Sequence, residues 1–160
     1  MVINMKKIIN ILLLLVLVLL ISGCSNNILK SIELENTSCK TIKEKDTHGG
    51  FNGDGDYFAL IKCSNIDYKK LSNNWHELPI SDNLQKALEI PRCDNKNCKD
   101  IYDRYSIPKL KKGYYYFIDR HPEAKDIYSE KEVDNRASYN FTIAILDPKK
   151  DNIYYYELDT

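Results

Sequence analysis

Glycine is scarce in this chain, with six residues in 160, and four of the six fall within residues 46–57. That scarcity excludes a collagen-like repeat or a glycine-rich linker, and five scattered prolines exclude a polyproline segment. Three histidines are too few for a metal-binding tract, and neither charge is in excess, with 23 basic against 23 acidic residues. A nucleic-acid partner normally requires a basic surface, so that balance argues against one. Signature motifs are missing too: no Gly-x-Ser-x-Gly, no His-Glu-x-x-His, no phosphate loop ending in Gly-Lys-Ser/Thr, and no Gly-x-Gly-x-x-Gly opening a helix. Beyond the N-terminus there is no long apolar run.

The N-terminus is where the sequence speaks most clearly. Lys6 and Lys7 give a short positive segment, residues 11–21 are all aliphatic, and Ile21, Ser22, Gly23 and Cys24 follow in order. A positive start, an apolar stretch of about 7–15 residues and a small-residue close form the pattern of a secretory signal. The stretch is short for a membrane span, which needs about 20 apolar residues. Ile-Ser-Gly-Cys resembles the lipobox of bacterial lipoproteins. That resemblance implies diacylglycerol on the Cys24 sulfur, removal of residues 1–23, and a chain held at the outer face of the membrane. A single acyl chain binds membranes only marginally, whereas two or more anchor durably. The rival readings are an uncleaved helical anchor and an ordinary secreted protein.

Cleavage there leaves 137 residues, 24–160, enough for one domain with its own core. It removes two lysines and no acid, so the remainder carries 21 basic and 23 acidic residues, a net charge of −2. The vocabulary rich in Lys, Asn, Ile and Tyr is like that of low-GC Gram-positive bacteria, a compositional likeness without a mechanism.

With Cys24 assigned to lipid, Cys39, Cys63, Cys93 and Cys98 remain, and an even number in an exported chain predicts up to two disulfides. The polar turn-forming run between Cys93 and Cys98 favours their pairing, leaving Cys39 with Cys63. The alternative is zinc, but a Cys-x4-Cys pair with two cysteines 24 apart does not reproduce the paired short spacings of structural zinc modules.

The periodicities predict an α+β domain over residues 31–160, following a lipidated Cys24 and a short tether over 24–30. Ile32, Glu33 and Leu34 alternate as a half-buried strand would, and residues 57–63 read as a better-buried strand. Between Ser81 or Asp82 as a cap and Pro91 as a stop, Leu84 and Leu88 share a helical face over residues 82–89. Residues 114–119 form another strand, and 122–139 a polar loop with a helical turn near 129–135. Residues 141–146 and 153–158, flanking a turn at Asp147 and Pro148, predict a C-terminal β-hairpin. If Leu146 faces Ile153, then Phe141, Ile143 and Ile145 share one face with Tyr154, Tyr156 and Leu158, while Thr142 and Glu157 lie on a solvated face. The expected sheet has four to six antiparallel strands with the 82–89 helix packed on it or at its edge.

Candidate chemistry centres on residues 46–57, with His48 and the carboxylates Asp46, Asp54 and Asp56. Oxygen-rich loops with glycines can wrap calcium. The EF-hand template fails, because with Asn52, Asp54 and Asp56 as the first ligands, Tyr57 stands where glycine belongs and Cys63 where a bidentate glutamate belongs. The plainer reading is a pair of turn dipeptides, Asn52-Gly53 and Asp54-Gly55, feeding the following strand. Asp119 and His121 place an acid and a base at a strand end, and His76 completes the histidines. All twelve tyrosines lie beyond the signal, two runs of them in predicted strands, where some must point outward and could offer a binding face to a protein or small ligand. Trp75 reads as a core or edge plug.

Beyond the signal, the Asp-Thr-His-Gly-Gly-Phe segment from Asp46, the Trp75-x-x-Leu-Pro stretch and the C-terminal Tyr-Tyr-Tyr-Glu-Leu-Asp resemble small uncharacterised bacterial lipoproteins over about residues 41–160. The resemblance brings no activity. The expectation is therefore a membrane-anchored extracytoplasmic lipoprotein acting as a binding module, without a cofactor. The alternative is an exported hydrolase or metal-dependent enzyme using Asp46, His48, Asp54 and Asp56.

Overall fold

The computed structural model describes residues 23–35, 37–49, 53–94 and 97–160. The expected signal, up to Ser22, lies outside them, as do Gly50, Phe51 and Asn52 of the glycine-rich segment, residues 95 and 96 of the cysteine turn, and the side chain of Cys24. The chain divides into two compact units, with the boundary between Thr37 and Ser38.

In the first unit, α1 spans Gly23–Ser31, where a polar tether and then a strand were expected. The alternation of Ile32, Glu33 and Leu34 is the signature of a helix end. Glu33 takes the left-handed conformation at φ 60°, its N–H donates to Lys30 O, and Leu34 N donates to Leu29 O at 2.8 Å. This is the Schellman arrangement, in which a residue past a left-handed turn folds back over the last helical turn. Leu34 and Leu29 are accordingly both buried. Among the described residues no helix is long and apolar enough to cross a membrane.

The second unit is built on a six-stranded antiparallel sheet in the order β1-β2-β8-β7-β6-β3, comprising β1 (Ser38–Asp46), β2 (Gly55–Ser64), β3 (Trp75–Glu77), β6 (Tyr114–Asp119), β7 (Asn140–Asp147) and β8 (Asn152–Asp159). A separate two-stranded sheet pairs β4 (Arg92–Asp94) with β5 (Asn97–Lys99). With two short helices, α2 (Asp82–Leu88) and α3 (Ile101–Tyr105), the architecture is mixed α and β with strands predominating. The edges are blunted as aggregation-resistant edges are: β1 alternates charges from Lys40 to Asp46, and β3 is three residues long. A bulge between Thr41 and Lys43 ejects Ile42, which explains an isoleucine 58% exposed.

Leu146 lies opposite Ile153, and Phe141, Ile143 and Ile145 oppose Leu158, Tyr156 and Tyr154. That apolar set, with Phe58, Tyr115 and Phe117, packs with Leu84 and Leu88 of α2 and Ile101, Tyr102 and Tyr105 of α3. Ser81 caps α2, its hydroxyl accepting from Leu84 N at 3.3 Å, and Asp100 caps α3, accepting from Asp103 N at 2.8 Å. The other face departs from the solvated surface expected of it. Ala59, Ile61, Tyr116, Thr142, Ala144, Leu146, Ile153 and Tyr155 are all buried there. The central strands carry apolar and aromatic side chains on both faces, whereas the edge strand β1 is polar on both. Trp75 leans on Tyr116 with ring centroids 5.5 Å apart and is buried at the β3 edge. Cys39 stands opposite Cys63 across the β1–β2 pairing, and Cys93 opposite Cys98 across β4–β5; disulfides join both pairs.

Candidate functional site

The segment from Asp46 to Asp56 leaves β1 and returns into β2. His48 turns inward and places its ring between two carboxylates: Nδ1 lies 2.7 Å from Asp46 Oδ1, and Nε2 lies 3.0 Å from Asp159 Oδ2 at the end of β8. Asp46 also accepts the His48 backbone N–H at 2.9 Å. Gly55 is required by this geometry, since a Cβ there would stand 2.5 Å from the His48 Cα. Arg120 closes the cluster from the end of β6, its guanidinium 2.8 Å from Asp159 Oδ1 and donating to Thr142 Oγ1 at 3.0 Å. Burial pulls the His48 pKa down, but the hydrogen bonds and charges of Asp46 and Asp159 outweigh it, and the net shift is upward. The Asp46 carboxyl is held below its ordinary value, first by the backbone N–H of His48 and then by its side chain.

Asp56 and Asp54 do not join this cluster. Asp56 is buried and accepts from Thr47 Oγ1 and, at 3.3 Å, from the Tyr156 hydroxyl, while Asp54 is exposed. Among the described residues no three His, Cys, Asp or Glu side chains gather in a way that could hold a metal ion. Both ring nitrogens of His48 face carboxylates, so the arrangement works as a clasp joining β1 to β8, with no ring position facing outward for a substrate. The other two histidines have different neighbours. Asp119 accepts the His121 backbone N–H at 3.0 Å and forms a buried pair with Arg136, instead of orienting the His121 ring, whose Nε2 lies 3.0 Å from Ser138 Oγ. His76 is exposed beside the Tyr115 ring.

The tyrosine runs divide differently from the expected binding face. Five of their six members are buried, and only Tyr114 stays partly open. This moves the candidate binding surface from the middle of the sheet to one end. There β3, the start of β6 and the β7–β8 turn meet around a groove of about 560 Å³ lined by Tyr68, Glu77, Leu78, Lys111, Lys112, Gly113, Tyr114 and Pro148. The rings of Tyr68 and Tyr114 lie nearly parallel, 20° apart with centroids 5.9 Å apart. Tyr68 is fixed by donating its hydroxyl to Asp151 Oδ1 at 2.7 Å; burial first, then this bond, push its phenol pKa upward, so it stays a donor. On the other side of Leu78 a smaller cleft of about 270 Å³ has an apolar wall of Pro79, Ile80, Leu110 and Ile145 and a rim of Asp82, Gln85, Tyr102 and Lys109. Three of its rim groups are already engaged: Tyr102 donates to Gln85 at 2.9 Å, Gln85 to Glu89 at 2.7 Å, and Lys109 to Glu89 at 2.6 Å. Burial pushes the Tyr102 phenol up to about 12.

The sequence singled out Asp46 and His48, and the structure brings them together. It did not single out Asp159 as a third member, nor Tyr68, Lys111 and Lys112 as a group. The signal available for the groove was modest: two adjacent lysines just before a glycine and a tyrosine run. No protein-family model matches the chain, and neither a curated protein nor a solved structure matches it.

Proposed function

We propose that this protein is an exported lipoprotein, tethered through Cys24 to the outer face of the membrane, whose domain from Ser38 onward is a binding module with its ligand site in the groove beside Leu78. The observation that carries the binding reading is that groove. Its volume, about 560 Å³, falls within the range of about 300–1,000 Å³ used by small-molecule sites, and its walls combine aromatic rings with a few charged groups. The Ile-Ser-Gly-Cys sequence after an apolar stretch supports the tether, and the two cystines fit an oxidising compartment. Such a module needs no chemistry of its own, since the membrane supplies its location and the groove its selectivity.

Growth of the producing cells with an alkyne-bearing palmitate tests the tether. Label is expected on the wild type in the membrane fraction and absent from the Cys24→Ala variant; a membrane-bound wild type without label refutes it. Crystals soaked with a small-molecule fragment collection test the site. Density concentrated between Tyr114 and Leu78 is expected, and occupancy everywhere except this groove counts against it.

A further inference from the structure

The groove is not neutral. Lys111 and Lys112 stand exposed on its rim, and among the described residues no carboxylate pairs with either. The nearby acids are otherwise engaged: Asp151 accepts from Tyr68, Asp147 accepts the Lys149 backbone N–H at 2.9 Å, and Asp67 pairs with Lys70 at 3.2 Å. Glu77 is the one carboxylate among the lining residues against two lysines, so the lining itself carries one net positive charge, while Asp147 and Asp151 keep their own charges beside Tyr68. The turn beyond Pro148 adds Lys149 and Lys150, both exposed. The smaller cleft differs in this respect, because its one cation, Lys109, is already held by Glu89.

Three chemical features therefore converge: partly exposed aromatic rings held nearly parallel, two unpaired ammonium groups, and one carboxylate able to accept hydroxyl protons. Aromatic faces pack against the C–H faces of flat apolar or sugar rings, ammonium groups select a negative charge, and a lone carboxylate accepts from hydroxyls. A purely apolar ligand would leave the lysines and Glu77 unused. A simple inorganic anion would leave the rings unused. Resting on the binding-module reading, we infer that the groove takes an anionic saccharide, with its ring against Tyr68 and Tyr114, its negative group at Lys111 and Lys112, and a hydroxyl at Glu77. Carboxylate and phosphate substituents share this chemistry, and the probes below separate them.

Gly113 is part of the site's construction. It takes φ +142°, and a Cβ there would come within 2.4 Å of Leu146 O and 3.1 Å of Pro148 Cδ. The chain carrying the two lysines is thus pressed against the β7–β8 turn, which sets them beside Tyr114 and Pro148.

The experiment is isothermal titration of the full chain in detergent with four probes: a galacturonate trimer, the neutral galactose trimer, glucose 6-phosphate and inorganic phosphate. Binding of the galacturonate trimer or the sugar phosphate, with no heat from the neutral trimer or phosphate alone, is the expected result, and which of the two binds identifies the anionic group. Lys111→Gln with Lys112→Gln should weaken that binding about tenfold, the loss of charge attraction at a surface site, and added salt should weaken the wild type more than this variant. Tyr114→Leu, which keeps apolar bulk, should weaken it too. Equal binding of the neutral trimer, or anionic binding untouched by the lysine substitutions, overturns the inference. If the neutral trimer binds and Tyr114→Leu abolishes it, the module reading survives while the anionic ligand falls. If none of the four probes binds, the ligand class is wrong, and the fragment soak above then decides the module reading by itself.

Discussion

The His48 clasp should make this domain's stability depend on pH in a window that its own contacts define. A protonated imidazole donates from both nitrogens, to Asp46 and Asp159; a neutral ring donates from only one, leaving the other carboxylate facing a lone pair. Because the folded His48 pKa is raised, its contribution is complete below the unfolded value of about 6.5 and is lost as the pH rises through the higher folded value. Asp46 works in the opposite sense: its lowered pKa contributes above its ordinary 3.8 and is lost as the pH falls through the depressed folded value. The clasp is therefore strongest between about pH 4 and pH 6.5. The His48 side chain is 24% exposed, Asp159 29% and Asp46 61%, so solvent screens both contacts, the shorter Asp46 contact more strongly than the Asp159 one. Partly exposed charge pairs contribute about 0.2–1 kcal/mol, which sets the loss between pH 6 and pH 9 at about 1 kcal/mol. For a domain of this size that corresponds to a fall in Tm of about 3–5 °C. Thermal melts of wild type and His48→Gln from pH 5 to pH 9 provide the assay, with an NMR titration of the ring alongside. Wild type should be the more stable at pH 5–6, and the gap should close by pH 9. A gap independent of pH, or a ring titrating at or below its ordinary value, would refute the reasoning.

Gly113→Ala should destabilise by about 2 kcal/mol or more, since it combines a positive φ with a clash against the Leu146 carbonyl, and thermal denaturation will show it. Replacing Cys39 and Cys63 together by serine opens the larger loop and should cost about 3 kcal/mol, against about 2 kcal/mol for Cys93 and Cys98, on a loop-entropy scale; denaturant midpoints with matched slopes would rank them, and a larger loss for the second pair would contradict that scale. Leu88→Ala removes a fully buried side chain between α2 and the sheet and should cost about 2–5 kcal/mol by urea unfolding.

Strands with aromatic and branched residues on both faces were legible: β2, β6, β7 and β8 stand where their composition places them, within two residues at either end. The polar β1 was not, because an edge strand with charges on both faces carries no period-two signal; its partner and its cystine define it. The α1 end was misread because a Schellman turn and a strand both alternate Ile32, Glu33 and Leu34 between buried and exposed. The α3 helix left a usable trace in Asp100 as cap with Ile101, Tyr102 and Tyr105 on one face. Within the clasp, Asp46 lies two residues from His48 and was visible, whereas Asp159 lies 111 residues away and only sheet order brings it there.

That sheet order has a consequence for how the molecule comes into being. The strand nearest the C-terminus, β8, sits between β2 and β7, and Gly55 at the start of β2 finds its partner in Asp159. A chain emerging N-terminus first can make the β1–β2 and β6–β7 pairs, but those halves have no seam until the last strand is delivered. Before then the backbone N–H and C=O groups of β2 and β7 that β8 pairs with are open. Closing the sheet is thus the step that joins residues farthest apart in the sequence, and it makes the integrity of the core depend on β8.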